Sequence, residues 1–308
     1  VELSPAERPH SGQRRFATGK KASSCAATPV RECAIAGYAA SNIHGRRALR
    51  QDFERCHVTI RAGVAVLTLD HPETVNAASL AMMQGCLKAL DWIEADAGLK
   101  ALVLTGAGRG FCSGANLAEP PKDGSDLGDL LERTYHPLLR RLRDTRLAVV
   151  TALNGPAAGM GVSLALMGDL IVAARSAFLA LGFTRLGLVP DGGSTWLLPR
   201  LVGLARAREL ALLGERLPAE KAQQWGLVYK VVDEESVLDE ALALADYLSH
   251  GPKALGLTRQ LFWESTHHSF EEQLKLEQAA QRRAGATADF REGLAAFFEK
   301  RDPQFKGE

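Results

Sequence analysis

Strand-length apolar runs and helix-patterned stretches alternate through the middle of the chain, and this alternation limits the fold more than any other feature of the sequence. VAVLTLD (residues 64–70) alternates as a strand does, and SLAMMQGCLKALDWIEAD (79–96) carries apolar residues at helical spacing behind a serine able to cap it. ALVLTG (101–106), LAVVTAL (147–153) and DLIVAA (169–174) read as short strands; residues 126–144 read as a helix, as does the stretch after NGPAAGMG. Strands and helices in this order predict a mainly parallel α/β core with right-handed crossovers. After Gly193 the pattern is mostly helical, with one more strand-like piece at LVYKVV (227–232) and a charged amphipathic helix at 271–284. No linker rich in Pro, Gly or Ser divides the two regions.

Residues 1–56 differ from the rest. They pair basic residues (Arg14-Arg15, Lys20-Lys21, Arg46-Arg47) among many Ala and Ser with little periodicity, and read as a disordered extension. A targeting peptide and an expression scar or over-extended reading frame are the alternatives; the acids Glu2, Glu7, Glu32, Asp52 and Glu54 speak against targeting. The expected division is therefore 1–56 extension, 57–250 α/β core and 251–308 C-terminal helices. The formal net charge of +1 over 308 residues gives no electrostatic case for nucleic acid or a membrane surface. The five cysteines are scattered, without zinc-site or disulfide spacing, and His57, His71 and His136 are scattered too. No metal site is expected. No apolar run approaches the ~18–20 residues that span a bilayer, and a reducing, cytoplasmic setting is expected, or the mitochondrial matrix if the extension is a targeting peptide.

Two turns share one physical character. GAGRGFCSGANL (106–117) follows one strand and NGPAAGMG (154–161) another; both set glycine among small residues where a strand ends, letting backbone approach a ligand. The second also opens a helix, whose first N–H groups lack partners and whose positive end favours an anion. One N–H from each turn, converging, would make an oxyanion hole. Glycine serving only close strand–helix packing is the alternative for either turn alone. Ser163, one turn into that helix, ordinarily would bond its own backbone. Asp191 stands in GLVPDGG, where aspartate also serves turns and caps.

HPETVNAASLAMM, GAGRGFCSGANL, NGPAAGMGVSLALMGDL, GLVPDGGSTWLLPRLVG, AEKAQQWGLV and FREGLAAFFEKRDPQF, in this order from about Cys56 to Phe305, resemble the enoyl-CoA hydratase/isomerase (crotonase) superfamily. The resemblance implies an α/β, crotonase-like spiral of ββα turns with a C-terminal helical trimerisation region, assembled as a homotrimer or dimer of trimers. It implies an acyl-CoA substrate and no separate cofactor, because coenzyme A is carried by the substrate. The oxyanion donors carried over by position are the N–H groups of Ala115 and Met160. Hydratases of the superfamily use two glutamates; Ser163 and Phe183 stand at those positions, and neither is a general base near neutral pH. Water addition is not expected. The other carboxylate position is Asp191, expected to move a proton through an enolate and so shift a double bond.

The local motifs are closest to phenylacetate-pathway-type enoyl-CoA isomerases, which leaves a ring 1,2-epoxyphenylacetyl-CoA and a linear 3-enoyl-CoA as candidate substrates. Trp92 and Trp196 favour a ring if they face the pocket, and are core aromatics otherwise. Phe183, Leu186, Leu188, Val189 and Trp196 are expected to surround Asp191 with apolar groups and raise its pKa from about 3.9. Coenzyme A is expected to meet Asn76, Ala77 and Ala78, the turn before Ala115, Arg109 as a local cation, and Phe297 and Lys300 from a neighbouring subunit. Asn116 replaces the usual acid after the oxyanion alanine; it can still hold a turn, but the charge is lost. The rival readings are a thioester hydrolase or dehalogenase, with Asp191 attacking or activating water, and a silent acyl-CoA-binding subunit in which Asp191 is only a cap.

Overall fold

In the computed structural model, which describes residues 49–118 and 126–308, the alternation resolves into one mixed sheet with a second, smaller layer beside it. Strands β1 (Leu49–Phe53), β2 (Cys56–Arg61) and β3 (Val64–Leu69) form an antiparallel meander. Helix α1 (Leu80–Glu94) starts where the sequence predicts, with Ser79 Oγ accepting the Met82 N–H at 3.2 Å. There follow β4 (Ala101–Gly106), α2 (Leu127–Thr134), α3 (His136–Asp144), β5 (Ala148–Leu153), β6 (Ala157–Ala158), α4 (Met160–Ala165), β7 (Leu170–Ala174) and β8 (Phe178–Ala180). After a 3-10 turn over Gly182–Leu186 come α5 (Ser194–Val202), α6 (Leu204–Leu213), β9 (Arg216–Pro218), α7 (Ala219–Gln224) and β10 (Lys230–Val232). The C-terminal helices are α8 (Val237–Ser249), α9 (Ala254–Ser265), α10 (Phe270–Gly285) and α11 (Ala288–Glu299).

The large sheet has the order β1-β2-β3-β4-β5-β7-β10, parallel from β3 onward. The small one runs β6-β8-β9, and single bridges extend it: Ala78 with Ala115, and Cys112 with Ala157. Each pass of the chain thus leaves a strand of the large sheet, touches the small layer, and turns into a helix. That repeat is the expected spiral of ββα turns, and it stacks every small-layer segment at the carboxyl ends of the parallel strands. The core lies between the large sheet and helices α1 and α8, where Met82, Cys86, Leu90 and Ile93 meet Leu67, Leu102 and Leu104, all nearly inaccessible to water. Each such side chain contributes ~1.5–3 kcal/mol by burial.

Two expectations need correction. Leu49–Phe53, inside the stretch 1–56 read as unstructured, forms β1 by pairing with β2; its four outer residues are exposed at a sheet edge, so it shows no apolar alternation to read. Residues 1–48 lie outside the described residues. The helix expected over 126–144 is two helices joined at Tyr135, with Pro137 in the first turn of the second. The C-terminal helices are locked to the core by Arg259, 8% exposed, which bonds Asp169 at 2.8 Å and the carbonyls of Leu142, Arg143 and Thr145. Buried Asp289 accepts the N–H groups of Lys253, Lys306 and Gly307, tying the tail to α11. No helix of the described residues is long and apolar enough to cross a membrane.

Candidate active site

The two glycine turns meet. Gly114 has a φ of +105°, and a Cβ there would lie 3.0 Å from the Ala158 carbonyl; one on Gly159, at φ +49°, would lie 3.9 Å from the Gly114 Cα. One turn deeper, a Cβ on Gly161 would collide with the Cys112 carbonyl, so only glycine lets α4 approach the first turn. Each oxyanion candidate directly follows one of the facing glycines. In the parallel bridge Ala78 donates to Gly114 O at 2.7 Å and accepts from Asn116 N at 2.9 Å, which turns the Ala115 N–H to the opposite side. Met160 is the first residue of α4, and no side chain caps that end. Among the described residues neither the Ala115 nor the Met160 N–H meets an acceptor. Two donors from adjoining turns, one of them at a helix start, are what an oxyanion requires.

Asp191 is fastened to the same helix. Its carbonyl accepts Ser163 Oγ at 3.2 Å and Ser194 Oγ at 2.8 Å, and also the Ser194 N–H at 3.0 Å. Gly192, at φ +58°, lies so close to α4 that a Cβ would come within 2.7 Å of Ser163 Oγ and 2.9 Å of Met160 Sδ. Ser163 therefore does not bond its own helix: fully buried, it fastens the Asp191 turn to α4. The Asp191 carboxyl keeps Oδ1 buried without a hydrogen-bond partner. Burial pushes its pKa up to about 6, against the opposing charge of His136.

The surroundings of Asp191 differ from those expected. Phe183 is 8% exposed, its ring over Gly159. Leu186, Leu188 and Val189 are exposed instead, because Gly187 at φ +70° ends the 3-10 turn and leads the chain outward. Beyond Gly192 and Gly193 opens a cavity of 220 Å³, bounded by His136, Arg143, Trp196 and Trp263. Trp196 lies at this cavity, stacked on Trp263 at 5.7 Å and 9° with Arg200 over its ring at 4.1 Å. Trp92 packs against the core.

The residues expected to meet coenzyme A divide. The Asn76 side chain is fully buried and committed within the protein: Oδ1 accepts the His71 N–H, and Nδ2 donates to the Ala107 and Gly110 carbonyls at 2.9 Å. It shapes the first turn. Ala77 donates its N–H to Thr74 Oγ1, and Ala78 forms the bridge to Ala115. Arg109 is exposed on the turn; Phe297 is 75% exposed and packs edge-on to Phe298, and Lys300 caps α11 with φ +56°. Asn116 holds its turn, its Oδ1 accepting the Ala118 N–H at 3.2 Å. Sequence reasoning gave no role in the site to His136, which it named only as one of the scattered histidines, or to Gly192, Tyr135 and Trp263.

A family model described as enoyl-CoA hydratase/isomerase matches residues 59–308. The 1,2-epoxyphenylacetyl-CoA isomerase of Escherichia coli K12 is 46% identical over 253 residues, covering 80% of this chain and 97% of that one. A Rhodobacter capsulatus protein named a probable enoyl-CoA hydratase is 43% identical over 249 residues, covering 80% and 96%. Among solved structures, an enoyl-CoA hydratase subunit I from Geobacillus kaustophilus HTA426 superposes with a TM-score of 0.79 at 32% identity, over 84% of this chain and 100% of that one. With its spiral, its paired glycine turns and these matches, the chain belongs to the enoyl-CoA hydratase/isomerase family.

Proposed function

We propose that the protein is an enoyl-CoA isomerase in which Asp191 carries a proton between two carbons of an unsaturated acyl-CoA. The observation that carries this reading is the placement of Asp191: a half-buried carboxyl whose Oδ1 is buried without a hydrogen-bond partner and whose pKa burial pushes up to about 6, on a residue bonded through its carbonyl to the helix that Met160 opens. Removing a proton from the unsaturated acyl chain moves negative charge onto the thioester oxygen, which the Ala115 and Met160 N–H groups would hold. Loss of one such donor typically costs ~2.7–4 kcal/mol of transition-state stabilisation. A carboxyl whose pKa lies near the working pH can both take the proton and return it. Ser163, spent on the Asp191 carbonyl, and Phe183, packed on Gly159, supply no carboxylate to activate water, which argues against hydration.

The acyl group we favour bears a ring, as in the name of the Escherichia coli relative. The stacked Trp196–Trp263 pair beside Gly192 supports it. Coenzyme A would be met by backbone of residues 76–78, by Arg109, and by Phe297 and Lys300 of a neighbouring copy in a homotrimer or dimer of trimers working in the cytoplasm. No cofactor beyond the substrate's own coenzyme A enters this chemistry. Product analysis with 3-enoyl-CoA and with 1,2-epoxyphenylacetyl-CoA tests the reading. The expected product has the mass of its substrate and releases no thiol. Gain of one water would mean hydration, and free coenzyme A would mean hydrolysis.

A further inference from the structure

His136 opens α3 where the helical stretch breaks, and the break is tied to the site. The buried hydroxyl of Tyr135 donates to the Ala78 carbonyl at 3.2 Å, and Ala78 is the bridge partner of Ala115. From this anchor His136 lines the 220 Å³ cavity together with Gly192 and Gly193, the residues that follow Asp191. Its Nδ1 lies 2.8 Å from Glu132 Oε2, and Arg140 clamps Glu132 with bonds of 2.6 and 3.0 Å. Arg140 first, and His136 second, hold the Glu132 carboxyl at about 2. Glu132 is thus an ionised acceptor, so Nδ1 carries its proton and the lone pair of the neutral ring sits on Nε2.

We propose that His136 is a positioning residue for Asp191: oriented by Glu132 and Arg140, it exchanges the carboxyl proton of Asp191 with solvent across the cavity. The proton leaves the Asp191 carboxyl for the Nε2 lone pair, giving a carboxylate and an imidazolium whose Nδ1–H stays on Glu132. The imidazolium then releases the Nε2 proton to water, and nothing else is gained or lost. Asp191 Oδ1 is buried, whereas the His136 side chain is 32% exposed and lines the cavity together with Gly192 and Gly193. At ~30 Å³ per water the cavity has room for the molecules that complete the path.

The other charged groups around Asp191 are engaged elsewhere. On α3, Arg140 is held by Glu132 and Arg143 by Asp144 at 2.6 Å; on α5, Arg200 lies over Trp196; on α9, His267 stacks on the same ring at 5.7 Å. Helix α4 presents the Ser163 hydroxyl and the Met160 side chain. The His136 charge is the one that pulls on Asp191, opposing burial.

The inference rests on Asp191 as the proton carrier, and its test separates the two claims. Carboxyl-labelled aspartate, with Asp191→Asn to assign the signal, is titrated by NMR without substrate in the parent and in His136→Gln. The Asp191 midpoint should rise by about half to one pH unit once the imidazolium is gone. Turnover of 3-enoyl-CoA in heavy water should then give product with about threefold less deuterium in His136→Gln than in the parent. Glu132→Gln, an exposed change that leaves the imidazole in place, should lower the deuterium content in the same direction. An unmoved midpoint, or deuterium content equal in all three proteins, overturns the coupling. If Asp191→Asn isomerises as fast as the parent while the midpoint still moves, Asp191 as the proton carrier fails and the electrostatic coupling stands.

Discussion

Asp191 is held by everything except its own carboxyl. Two serine hydroxyls and an N–H fix its carbonyl, and a glycine at φ +58° seats the next residue on α4, while Oδ1 meets no donor. A carboxyl raised to about 6 when folded, against about 3.9 unfolded, binds its proton more tightly in the native state. Its contribution to stability is therefore full below pH ~4 and is lost as the pH rises through 6. Asp191→Asn should match the parent near pH 4 and be more stable at pH 8 by about 1 kcal/mol after allowance for solvent screening, as read from urea melts. Ser163→Ala should lose about 1 kcal/mol, and several-fold of kcat with a smaller change in KM, because it frees the Asp191 turn without touching substrate.

These residues also mark how far the sequence was legible. Asp191, Ala115 and Met160 stand inside turns that resemble the family's motifs, and it is that resemblance that named them. Ser163 could be named but its role could not, since its bond reaches 28 residues along the chain. His136 and Trp263 join the site only through folding, and no local pattern marks them. Leu186, Leu188 and Val189 misled because apolar neighbours in sequence were read as neighbours in space.

At the scale of elements, the site depends on how closely α4 approaches the first turn. Gly161→Ala would drive a methyl into the Cys112 carbonyl, and should cost about 1–3 kcal/mol together with most activity, measured by denaturant melts and kcat/KM. The long strands and α1 were plain in the sequence because apolar periodicity and the Ser79 cap agree. Strands β6, β8 and β9 span two or three residues each, too few for a period to appear, yet they make the second layer that brings the turns together. Helix α9 is joined to the start of β7 by Arg259 and Asp169. Burial pushes the Asp169 pKa up even against the pull of Arg259, so the pair is held at close quarters away from water. Arg259→Ala strands that carboxylate and three carbonyls, and should destabilise by about 3–5 kcal/mol in the same melts.

The whole molecule leaves large apolar side chains uncovered. Phe262, Phe270, Phe290, Phe297 and Phe298 on the C-terminal helices are each at least half exposed, on a scale that ordinarily marks an interface. Sedimentation should find three or six copies, and Phe297→Ser with Phe298→Ser should shift the protein toward smaller species with weaker substrate binding. A single species at the mass of one chain would contradict that expectation. The spiral gathers both glycine turns and Asp191 at one end of the parallel strands, and the measurement that tests the proposed chemistry most directly follows the ultraviolet absorbance of conjugated 2-enoyl thioester as 3-enoyl-CoA is added. The parent should generate the signal, with a rate rising as the pH passes through about 6, and Asp191→Asn should lose at least ~100-fold of it while keeping its fold. Equal rates from the two proteins would contradict the account.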